Sequence, residues 1–571
     1  MALKVRELIH QSEKFSKLAN KMPGPVTNGL IRMLEIIVHE RDINAFLQAH
    51  QHLVNFCFIE AGLEFLNVSY KVSNTDKENI PPEGRVVIIA NHPLAGIDSL
   101  ALLSLIGEIR KDVKMLATGL VTRIEPIKDL LIPVDNFSSK ISKMSFQKIE
   151  QCLENEEALI IFPAGEVSRA SFTGIKDGRW KAGFLKIARK YKAPILPVFI
   201  RGRISLPFYL TSIVCKKFST ILLPHEMLKY RSKLIEFKIG ELIPYESFSE
   251  SNIYRTVKLF KKHVYRLGKN KKILFETQKS IAHPEKRKDL KQALKSSTLL
   301  SSTRDGKKIF FSYFTKDKVA LLREIGRLRE MAFRKVGEGT GKRRDIDQYD
   351  LYYGHIVLWD EEKLEIVGSY RLGEGPKILY EKGEEGFYLR SLCKFGTDFV
   401  SYLEQGVELG RSFVQPQYWG SRALDYLWQG IGAYLKNNQQ VRYLFGPVSI
   451  SASMPKNAVS ALVYYYSHYY GARQPCMVPK FPYALENPLV QEFKNYFTHK
   501  DMKKDFILLK QYLRQFQTSI PTLLKQYCDI FEPGGITIHG FGIDKDFGSI
   551  DGFILADLQQ IKPEKKKRYL I

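Results

Sequence analysis

The sequence has few cysteines and no long apolar run, and each absence excludes a class of protein. The six cysteines in 571 residues form no Cys-x-x-Cys pair and no disulfide-like framework, which favours a reducing cytoplasm. The longest apolar runs, Val86–Ala90 and Pro194–Ile200, are far shorter than the about 20 residues of a membrane-spanning helix. The first residues lack the apolar core of a secretory signal. We therefore expect a cytoplasmic protein without a membrane span.

Acidic residues are scarce relative to basic ones, with 61 Asp and Glu against 87 Lys and Arg and a formal net charge of +26. Such a charge attracts an anionic partner, and three kinds fit: nucleic acid, an anionic membrane surface, or an acidic carrier protein. The sequence contains no paired Cys/His zinc spacing, no basic region leading into heptads and no aromatic-glycine signature of an RNA-binding sheet. Nucleic acid is therefore disfavoured, and the other two partners stay open.

The length of the chain and its 44% hydrophobic content favour two domains with separate cores. Apolar residues at helical spacing predict an N-terminal helical segment, whose apolar faces belong either to its own domain or to a membrane-surface anchor. Short apolar runs separated by helix-length stretches then predict an α/β fold class in both domains, and a charged, Ser/Thr-rich stretch between them predicts a linker. The predicted boundaries are 1–80 for the helical segment, 81–277 for the first α/β domain, 278–305 for the linker, 306–555 for the second α/β domain and 556–571 for a basic tail.

The same patterns predict individual elements. In the first domain the apolar runs predict strands at Val86–Ala90, Val113–Ala117, Ala158–Phe162 and Ile195–Ile200. In the second domain they predict a helix at Val319–Phe333, paired strands at His355–Trp359 and Leu364–Leu372, a strand at Val407–Val414, a loop at Pro416–Ser421 and a helix at Ala423–Leu435.

A histidine and an aspartate follow the first predicted strand. Pro93 and Gly96 suit a turn that folds Asp98 back toward the ring of His92. The carboxylate can fix the imidazole tautomer and steady its charge, so His92 can act as a general base on a substrate hydroxyl, with no serine or cysteine nucleophile. A lone His-Asp pair at this spacing is more often structural, and the pair alone leaves that alternative open.

A second motif, FPAGEVSR, follows the predicted strand at Ala158–Phe162. An arginine beside a glycine-containing turn can bind a phosphate or carboxylate through its side chain and nearby backbone amides. We therefore expect this turn to hold an anionic substrate. The candidate substrate-binding residues are Gly165, Glu166, Ser168 and Arg169.

The order of these motifs, with a later apolar block containing proline, resembles the glycerolipid acyltransferase superfamily over about residues 30–270. Five residues separate His92 from Asp98, one more than is usual there, and the second motif reads AGEVSR rather than EGTRS. Both departures are typical of a branch labelled as hemolysins, which includes O-acyltransferases of amino-acid lipids. The resemblance implies an O-acyltransferase with His92 as catalytic base and Asp98 as its catalytic partner.

Beyond the linker, the stretches IGRLREMAFRKVGEGTGKRRDIDQYD, VGSYRLG and VELGRSFV resemble the N-acyltransferases that make lyso-ornithine lipid. Those enzymes are relatives of acyl-homoserine lactone synthases, with a GNAT-like fold, and the resemblance covers about residues 310–475. It implies that Glu408 is the catalytic base for amine acylation and that Asp345 and Asp347 hold a cationic amino acid, while arginines receive a carboxylate or phosphopantetheine. The alternative is that RDID is a helix start or ion-pair cluster and ELGRS a strand with a buried, satisfied pair. The implied site comprises Arg329, Phe333, Asp345, Asp347, Arg371, Glu408 and Arg411.

The loop QYWGSRA lies where GNAT enzymes bind the donor pyrophosphate at a helix start. Arg422 stands where a small residue is usual, which favours an acyl carrier protein over coenzyme A and agrees with the basic net charge. The aromatic run Tyr464–Tyr470 is expected in the core, with an acyl channel as the alternative. The predicted donor-binding residues are Gln417, Gly420, Ser421 and Arg422.

Both resemblances imply acyl transfer, so we expect a bifunctional bacterial aminolipid synthase, peripheral on the inner face of the inner membrane. Its C-terminal domain would N-acylate ornithine, glycine or a similar amino acid with a 3-hydroxyacyl group, and its N-terminal domain would O-acylate that hydroxyl. The expected partners are acyl carrier protein, an anionic lipid surface and these substrates, with acyl carrier protein or coenzyme A thioesters as cosubstrate and no metal or cofactor. Two alternatives remain: a lysophosphatidate-type glycerophospholipid acyltransferase with an accessory domain, and a non-enzymatic, hemolysin-like membrane-active protein.

Overall fold

The structure, a computed structural model, describes residues 24–37, 39–94, 96–117, 124–134, 142–171, 174–205, 207–209, 223–229 and 234–570. The chain forms two compact units, Met1–Ser280 and Ile281–Ile571. In these described ranges no helix is long and apolar enough to cross a membrane. Residues 1–23 of the predicted helical segment and the last residue of the predicted tail lie outside the described residues.

The first unit has nine described strands: β1 (Ser69–Lys71), β2 (Val86–Ala90), β3 (Val113–Ala117), β4 (Leu131–Pro133), β5 (Ala158–Ile161), β6 (Arg169–Ser171), β7 (Gly174–Lys176), β8 (Ile195–Arg201) and β9 (Leu234–Ile239). Seven of them form one sheet in the order β1-β9-β8-β2-β5-β3-β4, and β6 pairs with β7. The central strands β5, β2 and β8 run parallel. Their Val, Ile and Leu side chains are buried because a parallel sheet is covered on both faces. The four predicted strands are confirmed to within one residue.

Helices precede the first strand of this unit and connect most of the others. They are α1 (Gly24–Ile37), α2 (Glu40–Ala49), α3 (Asn55–Phe65), α4 (Asn74–Lys77), α5 (Ile97–Gly107), α6 (Lys143–Glu154), α7 (Gly183–Lys190), α8 (Leu223–Lys229) and α9 (Ile253–Leu267), with 3₁₀ turns at Glu125–Leu130 and Tyr245–Ser247. Phe58, Ile59 and Leu63 of α3 pack in the sheet's core. The predicted boundary at residue 80 is too late, because β1 pairs with β9 and already belongs to the sheet.

The second unit contains β10 (Thr298–Ser302), β11 (Lys308–Tyr313), β12 (Gly354–Asp360), β13 (Glu365–Glu374), β14 (Cys393–Phe395), β15 (Gly406–Val414), β16 (Tyr443–Ser451), β17 (Met477–Pro479), β18 (Ile536–Asp544) and β19 (Ser549–Asp557). Eight of these strands form a sheet in the order β10-β11-β12-β13-β15-β16-β19-β18, and β14 pairs with β17. Parallel pairing of β15 with β16 covers only Gly406–Glu408 and Tyr443–Phe445. Beyond that point β15 continues beside β13, and β16 continues beside β19.

The helices of the second unit are α10 (Arg287–Lys295), α11 (Val319–Lys335), α12 (Gly375–Lys382), α13 (Tyr388–Leu392), α14 (Val400–Glu404), α15 (Ala423–Lys436), α16 (Lys456–Tyr470), α17 (Asn487–Tyr496), α18 (Met502–Arg514), α19 (Thr522–Ile530) and α20 (Pro563–Tyr569). Short 3₁₀ turns lie at Lys316–Lys318, Gln348–Leu351, Glu384–Gly386, Thr397–Phe399, Pro416–Tyr418 and Leu558–Gln560. The predicted elements of this unit are confirmed to within two residues. The aromatic run Tyr464–Tyr470 lies in α16, where Tyr465 and Tyr466 belong to the core.

The prediction of a linker at 278–305 is wrong, because this stretch is not a structureless connection. It contains α10, whose Leu290, Ala293 and Leu294 are buried in the core beneath the second sheet, and β10, which pairs with β11 at the sheet edge. The charged composition that suggested a linker belongs to the solvent face of α10. Three apolar residues at helical spacing are enough to dock this nine-residue helix. The overall composition of the segment therefore did not reveal the helix.

The predicted basic tail 556–571 is also structured. Its first two residues end β19, and its lysines lie on α20, which packs on α15. Asp425 forms an ion pair with Arg568 at 2.7 Å and accepts a hydrogen bond from the Tyr569 hydroxyl at 2.8 Å. A Cβ at Gly432 would lie 1.7 Å from the Tyr569 carbonyl oxygen, so the absence of a side chain at Gly432 permits this close packing.

Candidate active sites

The first candidate site lies at the carboxyl ends of β2 and β5. His92 follows β2, and the motif from Phe162 to Arg169 follows β5. Because these strands are parallel neighbours, the two motifs meet at the same edge of the sheet, where α/β sheets place their ligands. The backbone N–H of Ser168 donates a hydrogen bond of 2.7 Å to the carbonyl oxygen of His92, which joins the two motifs directly.

The predicted dyad is formed in the structure. The distance from His92 Nδ1 to Asp98 Oδ2 is 3.0 Å, and the Asp98 side chain is fully buried. The carboxylate also accepts backbone hydrogen bonds from Leu94, Gly96 and Ser99 at 2.9 to 3.2 Å. Gly96 has a left-handed φ of 105°, which turns the chain into α5 and brings Asp98 back to the histidine. The five-residue spacing thus supports a direct hydrogen bond.

The charges around His92 favour proton uptake. Burial acts most strongly and lowers the pKa of His92, but the charge and hydrogen bond of Asp98 and the charge of Asp177 outweigh burial, so that the pKa lies above its ordinary value of 6.5. The ring lies 4.5 Å from that of Phe162, and the side chain keeps 16% of its surface exposed. His92 is therefore both accessible and disposed to accept a proton, as a general base must be.

The residues predicted to bind substrate after β5 divide into two groups. Ser168 is buried and donates its hydroxyl to Asp177 at 2.5 Å, so it supports the loop rather than facing a ligand. Glu166 and Arg169 approach each other to 3.6 Å, and Gly165 has a left-handed φ of 67° in the turn before them. Arg169 keeps 18% of its side chain exposed, so this guanidinium can still reach an anion at the mouth of the site.

Asp177 is a residue of this site that sequence reasoning did not assign. Its Oδ1 accepts the backbone N–H of His92 at 3.2 Å and the hydroxyl of Ser168, while Oδ2 accepts the indole N–H of Trp180 at 2.9 Å. The backbone N–H of Asp177 donates to the Tyr265 hydroxyl at 2.7 Å. The sequence signal was the segment DGRW, which contributes both the carboxylate and the indole.

The second candidate site, in the C-terminal unit, is a network of arginines and aspartates. Arg329 is fully buried, with its Nε 2.7 Å from Asp345 and its Nη2 2.7 Å from Asp350. Arg371 is also buried and lies 2.7 Å from Asp347 and 3.2 Å from Asp350. Asp345 and Asp347, predicted to hold a cationic amino acid, are thus already paired with arginines. Their charge is thus balanced within the protein, and their role in holding a cationic amino acid stays a prediction.

Arg411 completes the network. It lies 3.5 Å from Asp345 and 3.4 Å from Asp347, and its guanidinium stacks 3.8 Å from the Phe547 ring. The residue has a left-handed φ of 51°, at the point where the register between β13 and β15 shifts. A bulge of this kind redirects a side chain, here toward the aspartates. Phe333 reaches the same group through an edge-on contact with Phe547, with ring centroids 5.7 Å apart.

Glu408 lies beside this network in a closed environment. Its carboxylate accepts the hydroxyl of Tyr353 at 2.5 Å and the backbone N–H groups of Leu389 and Tyr388 at 2.7 and 3.2 Å. Burial raises the pKa of Glu408 to about 7. The Glu408 carboxylate is 1% exposed and already accepts three hydrogen bonds. Two of them come from the first two residues of α13, so this carboxylate positions the start of that helix. This arrangement favours a positioning role over the predicted role of base.

The predicted donor loop connects β15 to α15. Gln417 donates to the side chains of Glu365 and Gln415 at 3.0 and 2.6 Å, and Ser421 donates to the carbonyl of Tyr418 at 2.6 Å. Both therefore hold the loop in shape. Gly420 has a left-handed φ of 78°, and Arg422 is 58% exposed, 3.7 Å from Asp425. The Arg422 side chain thus lies largely in solvent.

Sequence reasoning missed several members of the second site. Asp350 is the third acid of DIDQYD and pairs with both Arg329 and Arg371, and it also accepts from His355 at 3.1 Å. Tyr353 and Tyr388 bind Glu408 and flank Arg371, 5.2 Å from its guanidinium. The repeated acids were visible in the sequence, but only the fold distinguishes a buried acid from an exposed one.

Both units resemble known families. A family model described as "Acyltransferase" matches residues 10–272, and a model of the acetyltransferase (GNAT) domain matches residues 328–429. The chain is 30% identical to a glycine N(alpha)-acyltransferase of Phocaeicola vulgatus, over 51% of this chain and 92% of that protein. It is 33% identical to a lyso-glycine lipid O-acyltransferase of Bacteroides thetaiotaomicron, over 39% of this chain and 83% of that protein. An L-ornithine N(alpha)-acyltransferase of Brucella abortus is 28% identical, over 41% of this chain and 76% of that protein.

The two units are therefore acyl-transfer domains, and the protein is an enzyme. The chain belongs to the aminolipid-forming acyltransferases, with an acyltransferase domain followed in the same polypeptide by a GNAT domain. The predicted family, two-domain α/β fold and enzyme class are confirmed. The alternatives of a glycerophospholipid acyltransferase with an accessory domain and of a non-enzymatic membrane-active protein are not favoured, since relatives of both halves are acyltransferases of aminolipid formation.

Proposed function

We propose that this chain makes a diacylated amino-acid lipid in two successive steps. The C-terminal unit acylates the α-amine of an amino acid with a 3-hydroxyacyl group. The N-terminal unit then transfers a second acyl chain to the hydroxyl that this group carries. The observation that carries the proposal is the presence, in one polypeptide, of regions similar to a glycine N-acyltransferase and to a lyso-glycine lipid O-acyltransferase. Fusion keeps the intermediate close to the second site.

The geometry of the His92 dyad suits the esterification step. Neutral His92 removes the proton from the 3-hydroxyl as this oxygen attacks the acyl thioester, and buried Asp98 stabilises the imidazolium that forms. When the tetrahedral intermediate collapses, the C–S bond breaks and the thiolate leaves with the proton returned by His92. Arg169, at the turn after β5, is placed to hold an anionic group of the acceptor.

We assign glycine as the preferred head group. Asp345 and Asp347, predicted to hold the second ammonium group of ornithine, are already paired with Arg329, Arg371 and Arg411. The longer match to glycine N-acyltransferases supports the same assignment. Purified enzyme supplied with both amino acids should therefore acylate glycine faster than ornithine.

The proposed acyl donor is a thioester of acyl carrier protein. The net charge of +26 attracts an acidic carrier, and Arg422 presents its guanidinium in the donor loop. Arg422→Glu should raise the KM for acyl carrier protein thioesters while KM for acyl-coenzyme A changes less. Faster turnover with acyl-coenzyme A than with the carrier thioester would contradict this assignment.

We propose peripheral binding to an anionic membrane surface. Met33 and Ile36, one helical turn apart on α1, are 55% and 71% exposed, and the basic net charge favours anionic lipid. High salt or alkaline carbonate should release the protein from membranes. The pair of substitutions Met33→Glu and Ile36→Glu should weaken sedimentation with phosphatidylglycerol vesicles. Release by detergent alone would contradict a peripheral attachment.

The direct test of the proposed function uses the purified full chain, a 3-hydroxyacyl carrier-protein thioester, and glycine. The expected product is N-(3-hydroxyacyl)glycine, and addition of a second acyl thioester should convert it to the diacylated lipid. A matched reaction with glycerol-3-phosphate or its monoacyl form should give no product. Consumption of either glycerol compound without acylation of an amino acid would contradict the proposal.

A further inference from the structure

Three carboxylates that sequence reasoning did not assign interact with Arg411, through its charge or through the Tyr388 hydroxyl: Glu338, Asp551 and Asp544. Asp544 ends β18, Asp551 lies on β19, and Glu338 lies just after α11. Arg411 supplies positive charge that acts on both Glu338 and Asp551, but Asp345 and Asp347 already share this guanidinium. The group therefore has an excess of negative charge beside the arginine network.

The loop that carries Glu338 is tightly held. Gly337, Gly339 and Gly341 all have left-handed φ angles, of 78°, 123° and 69°, so the chain turns sharply on both sides of Glu338. Glu330, which is buried in α11, accepts the backbone N–H and the hydroxyl of Thr340 at 3.0 and 2.8 Å. The loop is thus fixed at the end of α11 rather than left to solvent.

Aromatic contacts connect this loop to Arg411. Phe333, on the last turns of α11, accepts the backbone N–H of Glu338 on its carbonyl at 3.0 Å and meets Phe547 edge-on. Phe547, between β18 and β19, lies beneath the guanidinium of Arg411 at 3.8 Å. Phe333, predicted as a substrate-binding residue, therefore links Glu338 to the arginine network.

Arg411 has capacity for a further partner. Its side chain is 90% buried, its Nε lies 3.5 Å from Asp345 Oδ2 without forming a hydrogen bond, and its contact with Asp347 is 3.4 Å long. Tyr388 bridges it to the acids, since its hydroxyl donates to Asp544 at 3.1 Å and accepts from Arg411 at 3.2 Å. A buried N–H without an acceptor is costly, so a ligand carboxylate fits this position.

The acids also differ in their pKa values. Burial, followed by the charges of Asp551 and Asp544, raises the pKa of Glu338 to about 7, although Arg411 opposes the shift. Burial and the charge of Asp544 raise the pKa of Asp551 to about 6. A carboxylate with a pKa near neutrality is matched to removing a proton from an amine at cellular pH.

We propose that this group is the acceptor pocket of the C-terminal site: it takes a zwitterionic amino acid, with Arg411 binding the carboxylate and Glu338 receiving the proton of the α-ammonium. Asp551 and Asp544 stabilise the positive charge of the ammonium before transfer. This inference rests on the proposed N-acyltransferase function and names its acceptor site. It moves the role of base from Glu408, whose carboxylate accepts three internal hydrogen bonds, to Glu338, which is partly exposed.

The proposed step balances. The ammonium transfers one proton to the Glu338 carboxylate, and the resulting neutral amine attacks the thioester carbonyl, forming a C–N bond. Collapse of the tetrahedral intermediate breaks the C–S bond, and the leaving thiolate takes the second proton of the amine. Glu338 then releases its proton to solvent, and the amide product leaves with its carboxylate still negative.

The test measures N-acylation of glycine by the full chain across pH. The wild-type rate should rise with pH through the Glu338 titration, because only the deprotonated carboxylate accepts a proton. Glu338→Gln should lower kcat by about a hundredfold or more and abolish that rise, and Glu338→Asp should restore part of the rate. The exposed Glu532→Gln serves as the matched control and should behave as wild type.

A second variant separates this role from a structural one. Asp551→Asn removes a negative neighbour and so lowers the pKa of Glu338, which should move the rising limb about one unit to lower pH. The same variant should raise KM for glycine, because it also removes a charge that stabilises the ammonium. A Glu338→Gln enzyme with wild-type rate and pH profile would overturn the inference, as would an unmoved limb in Asp551→Asn. Failure of the wild-type enzyme to acylate any amino acid would instead overturn the proposed function.

Discussion

The carboxylate of Asp177 accepts the backbone N–H of His92 at 3.2 Å, so an acid 85 positions along the chain holds the proposed base in place. The same oxygen accepts the hydroxyl of Ser168, whose own N–H donates to the His92 carbonyl. Asp177 and Ser168 thus bind both backbone polar groups of His92, its N–H and its C=O. These backbone contacts couple the first motif to the second. They do not depend on the side chain at position 92.

Asp177→Asn is expected to slow O-acylation without abolishing it. The amide keeps the shape but loses the charge that helps to raise the pKa of His92, and it weakens two charge-assisted hydrogen bonds. We expect about a tenfold loss in kcat, with little change in KM for either substrate. Initial rates of diacyl lipid formation measure this effect, and N-acylation in the same enzyme is the control. An unchanged O-acylation rate would remove Asp177 from the positioning of His92.

The pH dependence of O-acylation should report the environment of His92. The base works when neutral, and its pKa is raised above 6.5, so the rate should rise as pH increases through a value above 6.5. Asp98→Asn removes the main charge that raises this pKa, so the rising limb should move to lower pH. The rate itself should fall by about a thousandfold or more, because the tautomer is no longer fixed. A limb that stays in place in Asp98→Asn would show that another group titrates.

Sequence patterns predicted the strands and helices closely but not every boundary. The buried parallel strands stand out because they are continuous Val, Ile and Leu runs, as in β2 and β5. Helix α10 was missed because the lysines on its solvent side dominate the composition of the segment. Its apolar side consists of only Leu290, Ala293 and Leu294. Amphipathic helices of this length carry too few apolar positions to outweigh their charged face.

The two active sites differ in how much of them the sequence reveals. The dyad of His92 and Asp98 is local, six positions apart, so spacing alone predicts its contact. In the C-terminal site the charge of Asp551 acts on Glu338, more than two hundred positions earlier in the chain. The position of Asp551 depends on the pairing of β19 with β16. The role of Glu408 also depended on burial, which the motif ELGRS does not encode.

Substitutions at Glu408 should act mainly through stability. Glu408→Ala leaves the Tyr353 hydroxyl and the backbone N–H of Leu389 without their acceptor, which should cost about 3 kcal/mol of unfolding free energy. Tyr353→Phe removes one of those bonds and should cost about 1 kcal/mol. Thermal denaturation compares the two variants. If Glu408→Ala had the Tm of the wild type but lost all N-acylation, the result would support a direct catalytic role for Glu408.

The extent of the C-terminal unit can be tested with two fragments. Residues 281–571 keep α10 and β10 and should fold, whereas residues 300–571 lack α10. Loss of Leu290 and Leu294 removes about 4 kcal/mol of apolar burial, a large part of the stability of a domain. Circular dichroism during heating should therefore show a cooperative transition for the longer fragment only. Equal stability of both fragments would show that residues 278–299 act as a linker.

The most direct measurement of the central claim is mass spectrometry of lipids from a bacterial host that lacks amino-acid lipids and expresses this chain. The wild-type enzyme should yield a diacylated glycine lipid, and His92→Ala should yield N-(3-hydroxyacyl)glycine with the diacyl form reduced by about a hundredfold or more. Arg411→Ala should yield neither, and added N-(3-hydroxyacyl)glycine should restore the diacyl lipid in that variant. Normal amounts of diacyl lipid in His92→Ala, or no amino-acid lipid from the wild-type enzyme, would contradict the account.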